Sequence, residues 1–198
     1  MDVLAECRSE SSRRARERLV ELLREHALTI GEVTLTSGRT AQYYVDAKRA
    51  IMLPQAFMAL GALVAEQARA CHASAVGGVP VSAIPVACAA LAAPEPPARV
   101  FIVRKQRKDH GLQRWIEGPT LDVGERCLIV EDVVTTGGST IEAVERVRDE
   151  GLTVAGVVSV LDRLAGGGEA IQTALGGDAR YVALSTIDEV YPDRPDRD

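Results

Sequence analysis

Several features that would settle the class of this chain at once are missing from it. Its four cysteines, Cys7, Cys71, Cys88 and Cys127, stand far apart and form no CxxC pair. Three of them (Cys71, Cys88 and Cys127) lie in apolar stretches, where a thiol packs as a small hydrophobe. That argues against a zinc site or a disulfide framework and implies a reducing, cytoplasmic setting. Positive charge is not in excess either: 23 Lys+Arg stand against 28 Asp+Glu, a formal net charge of -5. A nucleic-acid coat or a polybasic membrane anchor relies on a broad positive field, so both are disfavoured. The opening residues are charged throughout, with no apolar stretch before a small-residue cleavage site, so no secretory signal is expected. The Walker lysine motif is absent, which excludes a P-loop NTPase. No internal repeat is present. One uncharged run, from Ala73 to Pro94, reaches about 22 residues, enough to span a bilayer as a helix. Gly77, Gly78, Pro80 and Pro85 interrupt it, so it reads as a buried strand, a glycine turn and a buried helix.

What remains is 198 residues with 46% hydrophobic content, enough for one domain with a sizeable core. Residues 11 to 28 carry an apolar stripe (Leu19, Val20, Leu22, Leu23, Leu28) and read as a helix. Arg13, Arg14, Arg16 and Arg18 on it are interleaved with Glu10, Glu17, Glu21 and Glu25, a solvated face rather than a nucleic-acid arm. Residues 31 to 51 read as two short strands or a hairpin around Ser37-Gly38. Pro54 opens a helix running to about Ala70. Strand and helix then alternate. Ser74–Val76, Val100–Val103, Cys127–Val130, Thr153–Leu161 and Tyr181–Leu184 read as strands. Val81–Ala92, Ser139 to about Glu150, and Glu169–Leu175 read as helices, with Gly151 as a cap. Such alternation predicts an α/β fold with a mainly parallel sheet covered by helices on both faces. The organisation expected is a single domain over 1–198, with a small amino-terminal unit over about 1–50 and a frayed, proline-rich tail over 191–198.

The most informative segment is CLIVEDVVTTGGSTIEAV, residues 127 to 144. A buried strand runs straight into Glu131-Asp132, then a loop, then a helix. The acids and loop therefore sit at the carboxyl end of a parallel strand, where open α/β sheets bind ligands. Gly137 and Gly138 let the backbone curl, and Thr135, Thr136, Ser139 and Thr140 offer hydroxyls, so loop N–H groups and the helix N-terminus can hold a phosphate. A plain strand-to-helix connection with an N-cap would account for Thr-Gly-Gly, but not for two adjacent carboxylates beside an anion cradle. They fit if they face the hydroxyls of a sugar carrying that phosphate. A second segment, VRKQRKDHGLQRWIEGP (103 to 119), gathers Arg104, Lys105, Arg107, Lys108 and His110 after a strand, with Gly111 as a hinge. Taken alone, such a charge run is commonly a solvated face.

The strand, the acid pair and Thr-Thr-Gly-Gly-Ser closely resemble the phosphoribosyl pyrophosphate (PRPP) motif of type I phosphoribosyltransferases. The R-K-x-x-K-x-H-G spacing of the basic segment resembles the mobile catalytic loop of the orotate phosphoribosyltransferases within that family. Two further stretches match: LTSGRTAQYYVD (35 to 46) resembles the segment lining the orotate pocket, and Leu161-Asp162-Arg163 resembles the strand end whose arginine binds orotate. GGVPVSAIPVA (77 to 87) matches the short loop that touches pyrophosphate. The resemblance implies a type I phosphoribosyltransferase fold with a small amino-terminal hood, and transfer of phosphoribosyl from PRPP to orotate to give orotidine 5-phosphate and pyrophosphate. By the same resemblance Arg104, Lys105, Lys108, His110, Glu131, Asp132, Val133, Val134, Thr135, Thr136, Gly137, Gly138 and Ser139 bind PRPP or pyrophosphate. Lys108 and His110 are the catalytic candidates, and Thr135 and Arg163 bind orotate. A guanidinium suits a planar carboxylate because it can grip both oxygens. Mg2+ is expected to be held mainly through PRPP, with no dedicated protein cage, and a homodimer is expected from the family. Thr36 stands where some relatives have lysine, and Val79–Ser82 replace the usual lysine or glycine pattern of the short loop. A purine phosphoribosyltransferase and a non-catalytic PRPP-binding regulator are the rival readings.

Overall fold

A computed structural model describes residues 9–34, 38, 40–97, 99–106 and 114–197. In chain order the elements are α1 (Glu10–His26), β1 (Leu28–Thr34), β2 (Thr40–Val45), α2 (Lys48–Ile51), α3 (Pro54–Ala70), β3 (Ala75–Gly78), α4 (Ala83–Ala90), β4 (Arg99–Val103), β5 (Ile116–Glu117), β6 (Arg126–Val134), α5 (Gly138–Asp149), β7 (Thr153–Asp162), α6 (Gly167–Leu175), β8 (Arg180–Thr186) and α7 (Ile187–Val190). Six strands form the main sheet in the order β5-β4-β3-β6-β7-β8, parallel except for β5, and β1 pairs with β2 as a separate antiparallel ribbon. The α/β class expected from the alternating pattern is the one observed. No described helix is long and apolar enough to cross a membrane.

Period-two alternation along the strands divides the core into two layers. Val76, Leu128, Val130, Val158 and Leu184 face the cluster that includes buried residues of α1, α3, α4 and the β1–β2 ribbon. Ala75, Phe101, Cys127, Ile129, Val157 and Ala183 face the cluster built on α5 and α6. The central strands are buried on both sides and so carry continuous Val, Ile and Leu.

Local signals set most element ends. Ser9 caps α1 by accepting from Ser12 N at 3.1 Å, and Pro54 occupies the first turn of α3, where its missing N–H costs nothing. Three boundaries depart from expectation. Helix α1 stops at His26, and Leu28, placed by periodicity on the helical stripe, begins β1 instead. Gly77-Gly78 is strand rather than turn: a Cβ on Gly77 would lie 2.3 Å from the Phe101 ring, so glycine there makes room for a large core side chain on the neighbouring strand. Strand β6 continues through the acid pair to Val134, because the ladder to β7 persists as far as Val134 opposite Asp162. The closing segment, expected to fray, makes defined contacts over 191–197: Arg194 pairs with Asp188 and Asp196, and Tyr191 meets Tyr43 edge-on at 5.3 Å.

Candidate functional site

The chain runs from β3 to its neighbour β4, then crosses back to lay β6, β7 and β8 on the other side of β3. The order reverses between β3 and β6, and a crevice opens at such a switch point beyond the carboxyl ends of the strands. Two loops border it: residues 79–82, between β3 and α4, and residues 135–137, between β6 and α5.

The second of these loops is built for close backbone approach. Gly137, the residue before α5, has φ 80°, the left-handed region that glycine enters without strain. Gly167 N donates to Thr135 O at 3.1 Å. A Cβ on Gly167 would lie 2.5 Å from that oxygen and 2.9 Å from Gly137 N, so the start of α6 buttresses the loop only because it is glycine. Thr135, Thr136, Gly138 and Ser139 are exposed, while Val134 is 1% exposed and its carbonyl accepts from Arg163 N at 2.9 Å. Loop amides beside the N-terminus of α5 are an arrangement able to receive an anion.

The two acids have different surroundings. Glu131 continues the side of β6 that faces α5, and its carboxylate accepts from Asp132 N, Ser139 Oγ and Thr140 Oγ1, each at 3.2 Å. Burial, and then the neighbouring Asp132 charge, hold its pKa well above the usual carboxylate range. Glu131 thus braces the loop from beneath. Asp132, also buried, lies 4.0 Å from Lys48 Nζ, which in turn is 2.6 Å from Asp46. The hydrogen bond that Lys48 donates to Asp46, offset in part by burial, raises the Lys48 pKa and keeps it cationic. Lys48 and Asp46 were not singled out from the sequence, because their role depends on α2 being laid beside the end of β6.

Arg163 follows β7 directly. Asp162 shapes its turn by accepting from Leu164 N at 2.7 Å, and Tyr181 Oη donates to the same carboxylate at 2.8 Å. The guanidinium lies over the Tyr43 ring at 5.3 Å and its Nη2 donates to the Tyr43 hydroxyl at 3.2 Å. The β1–β2 ribbon, which carries Tyr43, therefore meets the main sheet at this edge.

On the other flank, Arg104 and Lys105 follow β4. Arg104 N donates to Trp115 O at 2.8 Å, closing the base of the basic loop, and Trp115 is covered by the Arg146 guanidinium at 4.9 Å. The Arg104 side chain is committed to Glu117 at 2.5 Å and to Gln106 O at 3.0 Å. Lys105 is exposed. Lys108 and His110, the catalytic candidates, lie outside the described residues, as do Thr36 and the rest of 35–37. Glu131, Asp132, Thr135, Thr136, Gly137, Gly138 and Ser139 lie along the end of β6 and the start of α5, and Arg163 follows the end of the neighbouring strand β7.

The phosphoribosyl transferase domain family matches residues 55–183. An orotate phosphoribosyltransferase of Corynebacterium glutamicum is 45% identical over 157 residues, covering 79% of this chain and 85% of its own. Among solved structures, the orotate phosphoribosyltransferase of Mycobacterium tuberculosis H37Rv in complex with Fe(III) dicitrate superposes with a TM-score of 0.79 at 42% identity, covering 89% of this chain and 99% of that one. The same enzyme in complex with 5-phospho-alpha-D-ribosyl 1-diphosphate (PRPP) gives a TM-score of 0.74 at 38% identity, covering 89% and 98%.

Proposed function

The chain belongs to the phosphoribosyl transferase family, and we infer that within it this protein is an orotate phosphoribosyltransferase, a pentosyltransferase of pyrimidine biosynthesis. It transfers the phosphoribosyl group of PRPP to orotate, giving orotidine 5-phosphate and pyrophosphate. One observation carries the reading: Arg163 N donates to Val134 O at 2.9 Å, so an anion cradle and a guanidinium leave adjacent parallel strands side by side. A sugar phosphate and a planar carboxylate are the pair of ligands that this juxtaposition suits.

The 135–139 loop holds the 5-phosphate through its amides and hydroxyls. Asp132 offers a carboxylate to the ribose hydroxyls, and Glu131, turned toward α5, keeps the loop in shape beneath them. Arg163 takes the orotate carboxylate, with Thr135 beside it. Departure of pyrophosphate leaves positive charge on the ribose, so rate comes from positioning and from neutralising the leaving group. Arg104, Lys105, Lys108 and His110 serve that end. Arg104 reaches phosphate by exchanging the Glu117 carboxylate for phosphate oxygens, a like-for-like trade. Closure of the segment 104–116 excludes water from the cationic carbon.

Mg2+ would be held mainly through the phosphate oxygens of PRPP. Among the described residues no group of three or more His, Cys, Asp or Glu is placed to hold a metal, and the Glu131 oxygens are already engaged by the loop. A cation carried on the substrate's phosphate oxygens would supply charge to offset the leaving pyrophosphate. A homodimer is supported by exposed apolar side chains on the hood and its neighbours (Ile30 66%, Met52 66%, Met58 57%). Cys71, Cys88 and Cys127 are free thiols, in keeping with a cytoplasmic setting.

The test offers the protein PRPP and Mg2+ with orotate, adenine, guanine, hypoxanthine, xanthine or uracil in separate reactions, and follows pyrophosphate. Turnover with orotate alone is expected. Turnover with a purine base, or with none, overturns the assignment.

A further inference from the structure

The contacts of Arg163 do not end at Tyr43. The Tyr43 ring is 4% exposed, and its hydroxyl sits between a guanidinium and a carboxylate: it accepts from Arg163 at 3.2 Å and donates to Asp196 Oδ2 at 3.0 Å. Asp196 is itself held, since Arg194 Nε lies 3.1 Å from its Oδ1 and also pairs with Asp188 on α7. Tyr191 closes the arrangement by packing edge-on against Tyr43 at 5.3 Å with an interplanar angle of 82°. A hydroxyl that gives its proton to a carboxylate becomes a better acceptor for the donor on its other side. The segment 191–197 thus reaches across to the hood and sets the partner against which the guanidinium rests.

We propose that Asp196, acting through the Tyr43 hydroxyl, is a positioning residue for substrate recognition: it holds the Arg163 guanidinium in the orientation that meets a planar carboxylate. The proposal rests on Arg163 being the orotate-binding arginine. With the relay intact, Arg163 is preorganised and little rotamer freedom is lost on binding. With Asp196 removed, the hydroxyl is free to turn and donate elsewhere, and Arg163 has to be ordered when orotate arrives. The cost falls on the binding of one substrate and not on the chemical step.

The experiment measures KM for orotate and for PRPP, with kcat, in the full chain for Asp196→Ala, Tyr43→Phe, Arg163→Ala and the double variant Asp196→Ala/Arg163→Ala. Asp193→Ala serves as a charge-matched control in the same segment. Asp196→Ala and Tyr43→Phe are expected to raise the orotate KM by about three- to tenfold, the size of one hydrogen bond's net contribution, with the PRPP KM unmoved. Asp193→Ala is expected to leave the orotate KM unmoved. In the Arg163→Ala background the Asp196 change is expected to add nothing, because the two act in series. If Arg163→Ala raises the orotate KM and Asp196→Ala does not, the relay is refuted while the pocket stands. If Arg163→Ala itself leaves orotate unaffected, the pocket reading falls and the relay with it. An equal effect from Asp193→Ala reduces the result to segment charge and also refutes the relay.

Discussion

Removing the Arg163 guanidinium tests the pocket at the point where sequence and geometry converge. In the free protein the group makes a cation–π contact with Tyr43 at 5.3 Å and one hydrogen bond to its hydroxyl at 3.2 Å. Tyr43 keeps Asp196 as a partner when Arg163 is lost, so no buried polar atom is stranded. A cation–π contact at a partly exposed site is worth about 0.5–1 kcal/mol and the hydrogen bond adds about 0.5–1.5 kcal/mol, so Arg163→Ala costs about 1–2.5 kcal/mol of stability. For a chain of this size each kcal/mol is a fall of about 2–4 °C in Tm. Binding loses more. A hydrogen bond to a charged group contributes about 1.5–3 kcal/mol, and a carboxylate gripped at both oxygens takes two. With water refilling the site, a net loss of about 3 kcal/mol raises the orotate KM by about 100-fold, at 1.4 kcal/mol per decade. Arg163→Lys recovers only part of this, because an ammonium is a point charge and cannot make the planar, two-point contact. The assay follows pyrophosphate at saturating PRPP with orotate varied, then the reverse, alongside a thermal melt. A rise in the PRPP KM with orotate unchanged refutes the pocket, and a Tm loss beyond about 10 °C makes the residue structural.

Three further outcomes are expected. Lys108→Ala lowers kcat by orders of magnitude with substrate affinities less affected, read from steady-state rates; a near-normal rate removes this lysine from the chemistry. Gly167→Ala drives a Cβ to within 2.5 Å of Thr135 O, shifting the phosphate loop. It should cost about 1–3 kcal/mol in a urea titration and raise the PRPP KM more than the orotate KM; unchanged PRPP binding would show that the loop tolerates displacement. Glu131 has a folded-state pKa raised above its unfolded value by burial and by Asp132. The folded protein therefore holds that proton longer than the unfolded chain, and its stability falls as pH rises from about 4.5, the unfolded value, through about 7. Glu131→Gln carries no such charge, so its urea midpoint should gain on wild type between pH 5 and pH 8. A pH-independent difference would contradict the burial argument.

Much of the fold was legible in the chain. Pro54 marks a helix start by local chemistry, and the unbroken Val, Ile and Leu of β6 and β7 mark strands buried on both faces. The acid pair and Thr-Thr-Gly-Gly-Ser could be read as one segment because they stand within nine consecutive residues at the end of a buried strand. Gly77 misled for a physical reason. Glycine signals a turn unless a neighbouring strand needs its volume, and the Phe101 that needs it is 24 positions away. Gly167 was missed within the run Ala165-Gly166-Gly167-Gly168, where composition suggests a plain loop and only the packing of α6 on residues 135–137 gives the middle glycine a task.

The alternation of elements, the glycine-containing loop after β6 and the strand-end arginine belong to the amino-acid sequence, because each rests on residues close together in the chain and on local periodicity. The folded arrangement decided which groups share a site. Lys48 stands beside Asp132, Gly167 beneath Thr135, and Tyr43 between Arg163 and Asp196. Those partners are separated by tens to more than a hundred positions. No local pattern encodes such pairings, since they follow from the order in which parallel strands are laid and from the hood folding back over their carboxyl ends.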